Sequence, residues 1–185
     1  TTHRHLAKQF SKREDLFFNE GPVYPTELTA RLLILANQSN DADIEYLYSM
    51  IFGLDKIELS RAHQKDNRTF FQDRYWPSVV AYGKFKNREK SIHQNPSLKG
   101  LFLPPTATIY FSCSHEEKIR RSEKRGRKSV IDKFLLDFPN ELSRLEREID
   151  GSLEGLPNIL RIDTTLKNVE EVSSEIEEYV TNLNL

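Results

Sequence analysis

Short apolar or aromatic runs alternate along the chain with longer stretches whose apolar residues recur at helical spacing. DLFFN (15–19), RTFFQD (68–73), TATIYFSC (106–113) and NILRID (158–163) are each bounded by polar turns and read as buried strands. Helical patterns lie between and around them: residues 2–13, TELTARLLILANQ from Thr26, about 41–63, 77 to about 90, 114 to about 124, about 129–149 and about 166–183. Pro77 and the Ser114-His115-Glu116-Glu117 sequence suit helix starts, where a missing N–H or an acidic first turn fits the geometry. Strand and helix periods that keep exchanging are the mark of a layered α/β domain. The order predicts a mostly parallel sheet with helices on both faces.

Such sheets hold ligands in the crevice outside the carboxyl ends of their strands. Asn19 and Glu20, Asp73 and Arg74, Cys113 and Ser114, and Asp163 to Thr165 all fall at those ends. A charge at the end of a buried strand costs several kcal/mol, roughly, if it is left unpaired. The side-by-side Asp73 and Arg74 therefore ask for a reason, either a structural ion pair or a binding site.

Composition narrows the classes. A chain of 185 residues fills one core comfortably, so a single domain over residues 1–185 is expected. A formal net charge of -1 provides no whole-protein field for nucleic acid or a membrane, and neither is expected as a partner. One cysteine, Cys113, excludes an internal disulfide framework and leaves no zinc spacing. No apolar stretch approaches the roughly 20 residues of a membrane span, and no signal-peptide pattern opens the sequence, so a cytoplasmic location is expected. The basic cluster Arg120, Arg121, Lys124, Arg125, Arg127 and Lys128 stands out against this near-neutral background. It reads as a solvated helix end complementing the helix dipole; a nucleic-acid patch is the other reading of the residues, and no aromatic interleaving supports it.

The segment Asp73-Arg74-Tyr75-Trp76-Pro77-Ser78-Val79-Val80-Ala81-Tyr82 closely resembles the DRY-x-x-S-x-x-A-Y signature of the thymidylate kinase family, P-loop enzymes that phosphorylate dTMP from ATP. TIYFSCSHEEKIRRSEKRGR (108–127) is similar to that family's strand, acidic helix start and arginine-rich entry to a lid, here about 120–140. RIDTTLKNVEEV (161–172) resembles its last strand and the turn that edges the adenine, and TTHRHLAKQF resembles the helix directly after a G-x-x-x-x-G-K-T-T loop. The resemblance spans nearly the whole chain, and its first block is the specific one. It implies a three-layer P-loop nucleotide kinase fold. The first strand and the glycine-rich phosphate loop with its lysine are not among these residues. The expectation is that residues in front of Thr1 supply them; the rival reading is a genuine loss, leaving a non-catalytic nucleotide-binding or regulatory module.

The roles that follow are those the resemblance implies. Arg74 grips the acceptor phosphate, while Asp73 sits near Mg²⁺ or its waters. Thr1 supplies the loop hydroxyl that binds Mg²⁺, with Thr2 beside it. Glu20 accepts from a substrate hydroxyl or orders water around the metal, and its bland alternative is a turn-forming Asn-Glu-Gly-Pro cluster. Arg121 and Arg125 belong to the lid, Arg125 against the adenine face, while Asp163 and Thr164 edge the nucleotide. Ser78 and Tyr82 line the acceptor site, and Tyr48 stacks on the acceptor base; Tyr48 and Tyr82 read equally as core aromatics. The implied cofactors are ATP and Mg²⁺, and the implied partner is a nucleotide substrate. Dimerisation is common in the family, usually through helices on one sheet face. The pattern departs from the family where Phe52 replaces a base-reading arginine and Val79 a small or amide side chain, so an acceptor other than dTMP, such as a nucleoside or another small phosphate acceptor, stays open. The five histidines have no metal spacing, and Ser112, Cys113 and Ser114 lack a partnered base.

Overall fold

The computed structural model describes residue 6, residues 16–19 and 27–38, the helical positions 44, 47, 50, 51, 54 and 57, and residues 69–72, 75–85, 104–125 and 136–183. The chain divides into two compact units, one spanning His3–Pro104 and the other Pro105–Leu185.

In the first unit β1 (Leu16–Asn19) runs parallel to β2 (Thr69–Gln72), with Phe17 opposite Phe70 and Asn19 opposite Gln72. Parallel neighbours need a long crossover, and helix supplies it here. α1 (Glu27–Gln38) begins on Glu27, whose carboxylate pairs with Arg31 one turn on, and it buries Leu32. The helical positions Ile44, Leu47, Met50, Ile51, Leu54 and Ile57 belong to the same crossover. α2 (Trp76–Phe85) follows β2 directly. Pro77 fits its first turn, where a backbone N–H has no helical partner to lose, and Ser78 N–H donates to the Tyr75 carbonyl at 3.0 Å. Val80, Ala81 and Phe85 face inward. Residues 86–90, which the apolar pattern adds to this helix, lie outside the described residues.

In the second unit β3 (Thr108–Ser112) runs parallel to β4 (Ile159–Asp163), from Thr108 opposite Ile159 to Ser112 opposite Asp163. Asn158 starts β4 from a left-handed conformation, φ 47°, which asparagine tolerates better than most residues. Its backbone carbonyl accepts from Thr108 N–H at 3.0 Å, and its side-chain amide donates to the Thr106 carbonyl at 2.9 Å. The crossover holds α3 (His115–Arg125) and α4 (Pro139–Leu153), and α5 (Val169–Asn182) closes the unit. Alternation shows in the last three residues of β4. Ile162 has no exposed surface and joins Val172, Ile176, Leu145 and Leu153 in the core, while its neighbours Arg161 and Asp163 are exposed. Arg161 lies 5.6 Å above the Tyr110 ring and pairs with Asp150 of α4. Burial raises the Tyr110 pKa, Glu146 and Asp150 add to the rise, and Arg161 opposes it. Both units therefore combine parallel strands with flanking helix. No helix among the described residues is long and apolar enough to cross a membrane.

Two helix boundaries depart from the periodic reading. The pattern over 129–149 is broken: Leu136 and Asp137 are helical, Phe138 leaves the helix at φ -124°, ψ 82°, and α4 starts afresh at Pro139 and runs on to Leu153. Proline disfavours the α region for the residue before it, which is why the apolar period survives the break but the helix does not. The last helix begins at Val169 instead of Leu166, because Asn168 caps it. The Asn168 side chain accepts from Glu171 N–H at 2.9 Å, and the Glu171 carboxylate accepts from Asn168 N–H at 2.7 Å.

Candidate functional site

The carboxyl ends of β3 and β4 meet in a closely connected polar cluster. Thr164, 7% exposed, anchors it: its N–H donates to the Ser112 carbonyl at 2.8 Å, and its hydroxyl donates to the same oxygen at 2.9 Å. Thr165 N–H and hydroxyl both donate to one Asp163 carboxylate oxygen, at 2.8 and 2.6 Å. The Thr165 hydroxyl in turn accepts from Ser114 N–H at 2.9 Å. These bonds stitch β3, β4 and the head of α3 together through three consecutive residues. They also hold the Asp163 carboxyl below its ordinary range, chiefly through the Thr165 hydroxyl and N–H, with Lys167 and Lys118 adding positive charge nearby.

α3 presents its own charged side chains to this edge. Ser114 caps the helix by accepting from Glu117 N–H at 3.2 Å. The Glu117 side chain, 11% exposed, accepts from Nε and Nη2 of Arg120 at 2.6 Å each and from Arg121 Nε at 2.6 Å. The hydrogen bonds from Arg120 and then Arg121 pull its pKa down to about 2. Arg121 completes the link to the strand ends: Nη1 donates to the Thr164 hydroxyl at 2.9 Å and Nη2 to the Thr164 carbonyl at 2.5 Å. Lys118 donates to the Cys113 carbonyl at 2.6 Å and to Glu146 of α4 at 2.5 Å.

The predicted site residues are distributed unevenly over this picture. Arg121, Asp163 and Thr164 come together in the cluster. Arg125 closes α3 with its backbone. Ser78 and Tyr82 lie half-buried in the other unit, one turn apart on the same side of α2. Thr1, Thr2, Glu20, Tyr48, Asp73 and Arg74 lie outside the described residues, as do residues 126–135 of the expected lid. The sequence reading gave Glu117 only a part in the helix start and passed over Lys118, though both organise the cluster. The spacing of Glu117 to Arg120 and Arg121, three and four residues, was the available signal.

The cluster pairs a turn whose donors are spent with an arginine that keeps donors in reserve. The backbone N–H groups of Thr164 and Thr165 are already used, so the turn is rigid before any ligand arrives. Beyond it Leu166 is 95% exposed. Arg121 keeps one N–H on each of Nη1 and Nη2 without a hydrogen bond among the described residues, and both suit an anionic oxygen. Among the described residues there is no group of three or more His, Cys, Asp or Glu that could hold a metal ion, and the two residues expected at Mg²⁺, Thr1 and Asp73, are not among them. No protein-family model matches the chain, and no curated protein matches it significantly.

Proposed function

We propose that the chain is an ATP- and Mg²⁺-dependent nucleotide kinase of the thymidylate kinase type, built on a three-layer P-loop kinase fold, with dTMP as the first acceptor to test. The observation that carries the proposal is the position of the resembling motif. β2 ends at Gln72 in a parallel strand pair, so Asp73-Arg74-Tyr75 begins at a strand's carboxyl end, the place where α/β sheets bind ligands. Directly after it α2 brings Ser78 and Tyr82 onto one side. The polar turn Asp163–Thr165 at the carboxyl end of β4 supports the same reading.

Phosphoryl transfer asks a protein mainly to position two phosphates and to balance their charge. Mg²⁺-bound ATP brings the γ-phosphoryl group, which passes to the acceptor phosphate and leaves ADP. Arg74 holds the acceptor phosphate through its planar fork, a geometry lysine lacks. Asp73, with Thr1, would hold the metal or its waters. Ser78 and Tyr82 line the acceptor, Tyr48 stacks on its base, and Arg125 lies against the adenine. Arg121, Asp163 and Thr164 shape the nucleotide edge. A second reading, a kinase of a nucleoside or another small acceptor, is favoured by Phe52 and Val79, which cannot hydrogen-bond a base edge, and by Glu20 directly after β1, where it would take the proton of an acceptor hydroxyl. A homodimer and a cytoplasmic setting belong to the same proposal. For the dimer, exposed Leu28 and Leu35 on α1 and Leu47 and Leu54 in the following helical stretch fit a second copy.

The test is ADP formation by the full-length protein with ATP, Mg²⁺ and a panel of nucleoside monophosphates and nucleosides, with the stimulating acceptor separating the two readings. Arg74→Ala should keep its fold and lose roughly a hundredfold or more in turnover. A wild-type rate in that variant removes Arg74 from the mechanism.

A further inference from the structure

The charged hydrogen bonds on α3 form a directed chain instead of a solvated patch. Glu117 engages Nε of Arg121, the nitrogen nearest the aliphatic stem, and leaves the two terminal nitrogens to reach Thr164. A guanidinium is planar, so fixing Nε fixes where Nη1 and Nη2 point. Thr164 is tied to the end of β3 through two bonds to the Ser112 carbonyl. The path from Glu117 to the Asp163–Thr165 turn thus consists of short bonds between side chains that are partly or largely shielded from water.

We infer that Glu117 is a positioning residue for the nucleotide: by orienting Arg121 against Thr164 it sets the turn at the carboxyl end of β4 on which the base edge of ATP rests. This inference depends on the kinase reading above. It assigns Arg121 two tasks: with Nε held by Glu117, it holds the turn with one N–H each of Nη1 and Nη2 and offers the remaining two to a phosphate or carbonyl oxygen. Glu117 touches no substrate and acts only through Arg121.

Its consequence is selective. Loss of the Glu117 charge leaves Arg121 free to rotate and the turn less constrained, which weakens ATP in the ground state and the transition state alike. Uniform weakening raises KM and spares kcat. The same change loosens the turn whether or not ligand is present.

The experiment compares full-length wild type with Glu117→Gln and with Asp150→Asn, which removes the ion pair to Arg161 without touching the turn. Each is measured for ATP binding with a fluorescent ATP analogue, for the KM of ATP and kcat, and for amide hydrogen exchange over residues 162–166. Glu117→Gln should raise the KM for ATP roughly tenfold, hold kcat within about twofold, and speed exchange at Thr164 and Thr165 at least about fivefold. Asp150→Asn should match wild type within about twofold in all three. If Glu117→Gln exchanges and binds ATP like wild type, the inference is overturned while the kinase reading stands. A fall in kcat at unchanged KM overturns it as well, since the residue would then serve the chemical step. Failure of wild type to bind the ATP analogue overturns the kinase reading, and this inference falls with it.

Discussion

Thr164→Val isolates the hydroxyl on which the cluster turns. Valine keeps the branched shape of threonine and the backbone N–H bond to the Ser112 carbonyl, and Arg121 Nη2 can still donate to the residue's carbonyl. Two bonds are lost: the hydroxyl's donation to Ser112 O and its acceptance from Arg121 Nη1, both 2.9 Å. The neutral bond is worth about 1 kcal/mol. The charged one falls at the low end of the range for charged partners, about 1.5 kcal/mol, because the Arg121 side chain is 36% exposed. Against these, the new methyl group buries apolar surface worth about 0.8 kcal/mol. The net expectation is a loss of about 2 kcal/mol, read by urea unfolding followed by circular dichroism at constant m. Thr164→Ser keeps the hydroxyl and should lose only the buried methyl, about 1 kcal/mol. A loss below about 0.5 kcal/mol for Thr164→Val, or an equal loss in both variants, would refute the claim that Thr164 ties α3 to the strand ends.

The Glu117 carboxyl, held at about 2 against an ordinary 4.5, contributes stability that is full above pH 4.5 and is lost as pH falls toward 2. The stability gap between wild type and Glu117→Gln should therefore be largest above pH 4.5 and shrink through that window in acid unfolding. A gap that grows as pH falls contradicts the assignment. Ser173, 1% exposed on α5, has a hydroxyl with no partner among the described residues, and alanine is the better helix former, so Ser173→Ala should stabilise by about 1 kcal/mol in thermal or urea unfolding. Destabilisation would mean that the hydroxyl does bond in solution.

The strands were legible because each is a short aromatic or β-branched run closed by polar residues: TFFQ, TIYFS and ILRID lie inside the predicted runs to within two residues at each end. Parallel pairing was legible too, since helix-length stretches separate the strands that pair. The break at Phe138 was hidden because apolar periodicity continues through it. Only the rule for residues preceding proline exposes it. The start of α5 was present in the sequence as Asn168-x-x-Glu171, a capping signature that outweighs the apolar Leu166 ahead of it. At the site, Asp163 and Thr164 were readable from their place at the end of β4. The partner that Arg121 finds was not, because Thr164 lies 43 residues away and only the fold brings it beside α3. Local spacing shows which Glu and Arg share a helix face and says nothing about what that face meets.

The central claim is the proposed transfer of a phosphoryl group from ATP to a nucleotide acceptor. Coupled detection of ADP, with the full-length protein, ATP, Mg²⁺ and dTMP or another panel acceptor, tests it most directly. The account predicts acceptor-dependent ADP release that vanishes on removal of Mg²⁺ and in Arg74→Ala. ADP release no faster than the acceptor-free background with every acceptor would contradict it.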